Sequence, residues 1–414
     1  MKIERPRGTR DFLPGEMEKR REVESRMRKI AESFGYREIA TPTFEHLELF
    51  TLKSGEGIVD EMYVFADKSG RELALRPELT APVMRMFVNE CSVMPRPLRF
   101  YYFANCFRYE RPQKGRYREF WQFGVELIGS DSYLADAEVI NLAYQILENL
   151  GLEFELQVGH VGILRSLLSP LGNDKASKIM RLVDKGDEEG LLDYMDDIGV
   201  GQDLKEKVLS IIDLKGDEGV IDEAKELISF DFTHLENLSG ILHELGVEFE
   251  FNLGIARGLD YYTGVVFECY AEGLGAQKQV CGGGSYELSS LFGGPKAPST
   301  GFAIGFDRVC EVCNVKAKKD VTIAVISLRG FESHAFRIAN RIREKGLRVV
   351  VDVMGRSLKK QMSFASEIGA DYAVIIGPDE IEKGVVTVKN METQEQKTLS
   401  EEEAITTFLS RTKG

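Results

Sequence analysis

A chain of 414 residues, 43% hydrophobic and 29% charged, is long enough for two or three soluble domains at roughly 150 residues each. Its net charge of −14 argues against a general polyanion binder, which would be basic, so any nucleic-acid contact has to be local and specific. No apolar run reaches the ~20 residues of a membrane helix. The basic N-terminus is followed by no apolar core and does not read as a secretory signal.

In chain order, residues 16–34 read as a charged amphipathic helix ending before Gly35. Residues 36–44 have strand character, with Pro42 inside them. Two short extended runs follow within 60–80, around a turn at Asp67–Gly70, and lead into Leu75-Arg-Pro-Glu-Leu-Thr-Ala-Pro82. If that segment stays extended, Glu78 and Thr80 point the same way, and a helix runs over 81–90.

Residues 105–126 are two strand-like runs around a polar, glycine-containing loop. Arg108, Arg111, Lys114, Arg116 and Arg118 are interleaved there with three glutamates. Alternate side chains of a strand share a face. The outgoing strand therefore groups Tyr102, Cys106, Arg108 and Glu110, and the returning strand groups Phe120, Gln122, Gly124 and Glu126. An exposed hairpin with a solvated loop fits this pattern. So does a face that holds a ligand with both anionic and cationic parts.

Residues 133–150 read as a helix stopped at Gly151. Residues 174–231 alternate helical patterns with Gly-Asp turns and carry 17 acidic against 8 basic residues, which reads as a helical insertion (about 165–240) unsuited to phosphate contact. Strand and glycine-rich character returns over 247–270 and 276–308. Within it, Ala256-Arg-Gly-Leu-Asp-Tyr-Tyr-Thr-Gly264 places Arg257 and Asp260 beside Tyr261 and Tyr262, which in a strand would face opposite ways. Without further context it also reads as a turn entering an edge strand. The glycines of Cys281-Gly-Gly-Gly-Ser-Tyr-Glu287 permit close backbone approach to a flat ligand, or simply turns.

A boundary falls near 316–320, giving domains 1–319 and 320–414. Beyond it, strands at 321–328, 347–353, 372–376 and 385–389 alternate with helices at 333–345, 357–368 and 400–410. That order predicts a mostly parallel sheet covered by helices. Six cysteines scattered from 91 to 313 suit a reducing, cytoplasmic setting better than a disulfide framework. The Cys310–Cys313 pair stands alone, and five histidines form no metal-binding pattern.

Phe107-Arg-Tyr-Glu110, its basic loop and Arg118-Glu-Phe-Trp-Gln122 resemble motif 2 of the class II aminoacyl-tRNA synthetases. The helix, strand and proline before residue 44 resemble motif 1, and Gly301-Phe-Ala-Ile-Gly-Phe-Asp-Arg308 resembles motif 3. Arg257-Gly-Leu-Asp-Tyr-Tyr262 closely resembles the signature of histidyl-tRNA synthetases, and the resemblance runs from about residue 3 to the C-terminus. Two departures stand out: Asp307 precedes Arg308 where glutamate is common, and Ser285 stands where many members have arginine.

This resemblance implies an α/β (α+β) fold: a catalytic domain built on an antiparallel sheet with helices and a helical insertion, then a smaller α/β anticodon-binding domain. It implies activation of histidine by ATP to histidyl-adenylate and pyrophosphate, then transfer to the 3′ end of tRNA-His, by a homodimer. Arg108 and Arg257 would meet the α-phosphate, Arg308 the γ-phosphate, and Glu110 a Mg²⁺ travelling with ATP. The histidine ammonium would meet Glu78, Thr80 and Gln122. Its imidazole would meet Glu126 and Tyr262, with Tyr261 and Arg257 also lining the site. Gln113, Lys114 and Arg116 would touch the tRNA acceptor end. Two rivals are a synthetase-like regulatory subunit of ATP phosphoribosyltransferase, which binds histidine without activating it, and a class II synthetase for glycine, proline or threonine. Retention of Arg108, Arg257 and Arg308 with an extra domain argues against the first. Glu126 and the 257–262 segment argue against the second.

Overall fold

The computed structural model describes residues 3–54, 56–113, 115–255, 261–275, 278–318 and 320–411. It divides into two units, Met1–Ala317 and Lys318–Gly414. Among the described residues no helix is long and apolar enough to cross a membrane.

The first unit opens with α1 (Pro14–Ser33), whose proline suits the first helical turn and whose Glu16 carboxylate accepts from the Leu13 amide at 3.2 Å. Val23, Met27 and Ala31 recur at helical spacing and are buried. The strand expected over 36–44 is broken: only β1 (Arg37–Glu38) and β2 (Phe44–His46) pair with neighbours. Between them the carbonyls of Thr41 and Pro42 accept from the Arg76 guanidinium, at 2.8 and 3.1 Å, instead of from a ladder. After α2 (Leu47–Ser54) come β3 (Val64–Ala66) and β4 (Glu72–Leu75), which with β2 form a three-stranded sheet turned at Asp67–Gly70.

Helix α3 (Thr80–Met86) precedes the long hairpin of β5 (Leu98–Phe107) and β6 (Glu119–Ile128), paired from Leu98↔Ile128 to Phe107↔Glu119. Then follow α4 (Tyr133–Asn149), β7 (Phe154–His160), α5 (Val161–Leu168), α6 (Asn173–Lys185), α7 (Glu188–Asp197), α8 (Gln202–Asp213), β8 (Lys215–Gly216), α9 (Gly219–Leu227), α10 (Thr233–Glu244) and β9 (Glu250–Asn252). The acidic stretch thus folds as helices between β7 and β9, with α10 packed on α4. The unit closes with β10 (Tyr262–Ala271), β11 (Gln279–Tyr286), β12 (Ser299–Gly305) and α11 (Phe306–Val312). Its nine-stranded sheet has the order β1-β5-β6-β12-β11-β10-β7-β9-β8. The pairs from β5 through β6, β12, β11 and β10 to β7 are all antiparallel, so the middle of the sheet is antiparallel, as expected.

The second unit comprises β13 (Thr322–Ser327), α12 (Glu332–Arg343), β14 (Arg348–Val351), α13 (Leu358–Glu367), β15 (Tyr372–Ile376), α14 (Pro378–Lys383), β16 (Val386–Asn390), β17 (Gln396–Leu399) and α15 (Glu401–Arg411). Its sheet, β14-β13-β15-β16-β17, is parallel only in its first two pairings; the last two are antiparallel. The expectation of a mostly parallel sheet fails because β16 runs antiparallel to β15 and then makes a hairpin with β17, a largely exposed Gln-Lys-Thr-Leu run without apolar alternation. The unit has its own core: Ile323 and Val325 face one layer with Phe408, while Ala324 and Ile326 face the other with Ala365.

Candidate active site

Beside the hairpin lies a cluster of buried and half-buried acceptors. Register sets Tyr102 beside Gly124, and Gly301 of β12 beside Glu126. A Cβ on Gly124 would overlap the Tyr102 ring, and one on Gly301 would occupy the place of the Glu126 carboxylate. Both glycines are therefore required by close approach rather than by backbone angle. The Glu126 carboxyl, 1% exposed, accepts from the Tyr286 hydroxyl at 2.5 Å and from Tyr102 at 3.4 Å. Burial pushes it up to about 8; the nearby Glu78 charge adds to the rise, while hydrogen bonds from Tyr286 and Thr80 and the Lys53 charge pull it down.

Glu78 does not point outward from an extended segment. Its carboxylate folds back to cap α3, accepting from the amides of Thr80 at 2.8 Å and Ala81 at 3.1 Å. The extended reading of this segment is corrected because Thr80 is already the first residue of the helix, and a carboxylate at a helix start satisfies its orphan amides. Lys53 completes the cluster at 2.9 Å from Glu78. Gln122 lies on the Glu126 face of β6, two pairs along, and its side-chain oxygen accepts from the Cys106 thiol at 3.3 Å.

Tyr261 and Tyr262 do not face opposite ways. Their rings stack at 4.5 Å, because β10 begins only at Tyr262 and strand alternation does not reach Tyr261. Tyr261 also meets Tyr286, a partner of Glu126, edge-on at 5.9 Å, and Tyr262 pairs with Tyr286 in the sheet. Tyr262 is 6% exposed, and its carbonyl accepts from Arg165 at 2.6 Å.

A second group gathers guanidinium ions at the open end of the hairpin. Arg108 donates to the Pro77 carbonyl at 3.0 Å, next to Glu78, and lies over the Phe120 ring. Arg116 forms an ion pair with Glu110. Backbone bonds between Gln113 and Arg116 close the loop around Gly115, whose φ of +71° suits glycine. Arg308, in the first turn of α11, donates to the carbonyls of Gly115 at 2.9 Å and Gln279 at 2.8 Å. Its pKa is lowered, first by burial and then by the charges of Arg108 and Arg116. Three cations close enough to disfavour one another form a site for a polyanion. Arg257 and Lys114 lie outside the described residues.

The structure thus brings Glu78, Thr80, Glu126 and Tyr261 into one group and Arg108, Glu110, Gln113, Arg116 and Arg308 into another. The two meet where Arg108 bonds Pro77. Among the described residues no three His, Cys, Asp or Glu side chains converge as a metal cage. Glu110 is one carboxylate beside the cations, which suits a magnesium ion that arrives on phosphates rather than one held by protein alone.

Four further residues shape the site without having been given a role in it from sequence. Tyr286 and Tyr102 bond Glu126, and Lys53 bonds Glu78. Asp307, noted only as a departure, accepts from the Trp121 amide at 2.6 Å and pairs with Arg10 at 2.6 Å and Arg20 at 2.7 Å, tying α11 to β6 and α1. Tyr286 was within reach, since it follows the glycine run on the strand beside β12; Lys53 sits in no pattern. At the other departure the Ser285 hydroxyl donates to Asp136 at 2.6 Å, and the second oxygen of Asp136 bonds His234 of α10 at 2.8 Å. The carboxylate facing position 285 is therefore met by a hydroxyl and an imidazole.

The sequence model of the histidyl-tRNA synthetase family matches residues 8–309, and that of an anticodon binding domain matches residues 320–411. A histidine–tRNA ligase of Archaeoglobus fulgidus is 74% identical over 403 residues, covering 97% of this chain and 98% of that one. Among solved structures, apo S. aureus histidyl-tRNA synthetase is similar with a TM-score of 0.73 at 27% identity, over 98% of this chain and all of that one. A Bacillus halodurans protein described as an ATP phosphoribosyltransferase regulatory subunit/histidyl-tRNA synthetase has a TM-score of 0.77 at 30% identity, over 89% of this chain and 97% of that one.

Proposed function

We propose that this chain, which belongs to the histidyl-tRNA synthetase family, is a histidine–tRNA ligase that draws its amino-acid selectivity from Glu126 and its phosphate chemistry from the neighbouring arginines. The observation that carries this reading is the meeting of the two groups on one hairpin: a buried carboxyl with tyrosine partners beside three convergent guanidinium ions. One accepts an ammonium and an imidazole; the other accepts a triphosphate.

In the first step a carboxylate oxygen of histidine attacks the α-phosphorus of ATP. The bond to the β-bridging oxygen breaks and pyrophosphate leaves. Charge grows on the α-phosphate oxygens, where Arg108 and Arg257 are the donors; a planar guanidinium offers two parallel hydrogen bonds to a phosphate. Arg308 clamps the γ-phosphate. Glu110 would hold a magnesium ion arriving with ATP, which would supply neutralisation of phosphate charge. In the second step a ribose hydroxyl of the terminal adenosine attacks the histidyl carbonyl, and AMP leaves.

Glu78, Thr80 and Gln122 hold the ammonium. Glu126, with Tyr261 and Tyr262 alongside, takes the imidazole. A site that hydrogen-bonds a substrate N–H rejects analogues lacking it by up to ~10⁴–10⁵, so no editing domain is required. Gln113, Lys114 and Arg116 meet the acceptor end of tRNA-His, and residues 320–411 read unstacked anticodon bases. The enzyme acts as a cytoplasmic homodimer.

The test is charging of tRNA-His with labelled histidine. Wild-type chain should form histidyl-tRNA, and Arg108→Ala should not. Histidine binding without exchange or charging would return the regulatory-subunit reading, which the Bacillus halodurans likeness keeps in view.

A further inference from the structure

Lys53 belongs to none of the segments that carry the chemistry, yet its side chain is 2% exposed and lies against Glu78, in the group gathered around Glu126. Among the described residues it makes two contacts there. Its ammonium is 2.9 Å from Glu78 Oε2 and 4.2 Å from the centre of the Tyr261 ring. Burying an ammonium is costly unless it is paired, so a lysine kept here has a task.

The task follows from counting acceptors. An ionised carboxylate offers about four lone-pair directions. At Glu78, the Thr80 amide and Lys53 approach Oε2, and the Ala81 amide approaches Oε1. Among the described residues, three donors on fixed elements leave one direction and hold the group in a single orientation. The same ammonium offsets the repulsion between Glu78 and Glu126, two carboxyls in one pocket.

We propose that Lys53 is a positioning residue of the histidine site: it locks Glu78 so that the remaining acceptor direction meets the α-ammonium of the substrate. This rests on the reading of Glu78 as the ammonium acceptor. Lys53 touches no reacting atom and acts through Glu78 and the face of Tyr261.

The experiment is calorimetric binding of histidine and of histidinol, which keeps the ammonium and imidazole but lacks the carboxylate, to the full-length chain. The variants are Lys53→Met, Glu78→Gln and the double variant, each also assayed for the KM of ATP in pyrophosphate exchange. Loss of a charge-assisted contact should weaken histidine and histidinol by the same factor in Lys53→Met, about tenfold or more. The KM for ATP should stay unchanged, and the Lys53 substitution should have no further effect in the Glu78→Gln background.

Weakening of histidine alone would mean that Lys53 meets the substrate carboxylate, which overturns the proposal. A parallel rise in the KM for ATP, or wild-type affinity, also overturns it. If Lys53→Met does not fold, the double variant against Glu78→Gln decides: weaker histidinol binding in the double variant contradicts action through Glu78. Wild-type chain that binds histidine without exchange refutes the enzyme reading and leaves these binding comparisons standing on their own.

Discussion

At the scale of single residues, Glu126 concentrates the chemistry. Its carboxyl titrates near 4.5 in an unfolded chain and is pushed up to about 8 by burial in the folded one. Between those values the folded chain holds a proton that the unfolded chain has released, so this group's contribution to stability falls as pH rises through that window. Glu126→Gln should remove that slope. Denaturant midpoints at pH 5, 6.5 and 8 would show it, the variant gaining on the wild type toward pH 8. The same substitution should raise the KM for histidine at least about tenfold while sparing that for ATP. Gly301→Ala should weaken histidine in the same way, because the new methyl takes the space of the carboxylate. Arg108 and Glu126 could be read from the sequence because strand alternation and a motif both mark them. Alternation also put Tyr102 on the Arg108 face, though not its bond to Glu126; Lys53 could not be read, because its role comes from a contact with Glu78 that no pattern marks. Tyr261 and Tyr262 were misjudged because alternation was applied one residue before its strand begins.

At the scale of elements, the hairpin of β5 and β6 and the start of α11 must keep register for Arg108 and Arg308 to face one ligand. Asp307 is the joint: buried at 3% exposure, it takes the Trp121 amide and the guanidinium groups of Arg10 and Arg20. Removing one partner of a buried pair costs ~3–5 kcal/mol because the other charge is stranded. Asp307→Asn should therefore lower the melting temperature, and in the protein that remains folded it should raise the KM for ATP more than that for histidine. Paired thermal and exchange assays check both. Elements marked by strong periodicity or by stop signals, such as α1 and α4, matched their expected places. The failures have local causes. Pro42 offers no donor, and its own carbonyl and that of Thr41 are taken by Arg76, so a strand breaks there. Glu78 caps a helix where an extended run was read. The polar strand β17 carries no apolar pattern at all.

At the scale of the whole molecule, the charge is uneven. Residues 320–414 carry 14 basic and 14 acidic residues, so the excess of −14 lies upstream, and residues 174–231 alone carry a net −9. Each unit has its own hydrophobic core, which is the condition for folding alone. A chain ending at residue 317 should retain pyrophosphate exchange with histidine while its KM for tRNA-His in charging rises by orders of magnitude. Equal loss of both activities would mean that the second unit supports the active site rather than the tRNA. The alternation of strands and helices after residue 320 revealed the second unit, and glycine-rich strands around a charged hairpin revealed the first. The order of the nine-stranded sheet was beyond reach without the family resemblance, because nothing local to β7 announces that it pairs with β10.

The most direct measurement is ATP–pyrophosphate exchange with each of the twenty amino acids in turn, on the full chain and on Arg108→Ala. Histidine alone should support exchange, and the variant should lose it by at least ~10²-fold, as expected for removal of one donor to a developing charge. Exchange driven by another amino acid would contradict the role given to Glu126. Exchange that survives in Arg108→Ala would contradict the role given to the arginine cluster.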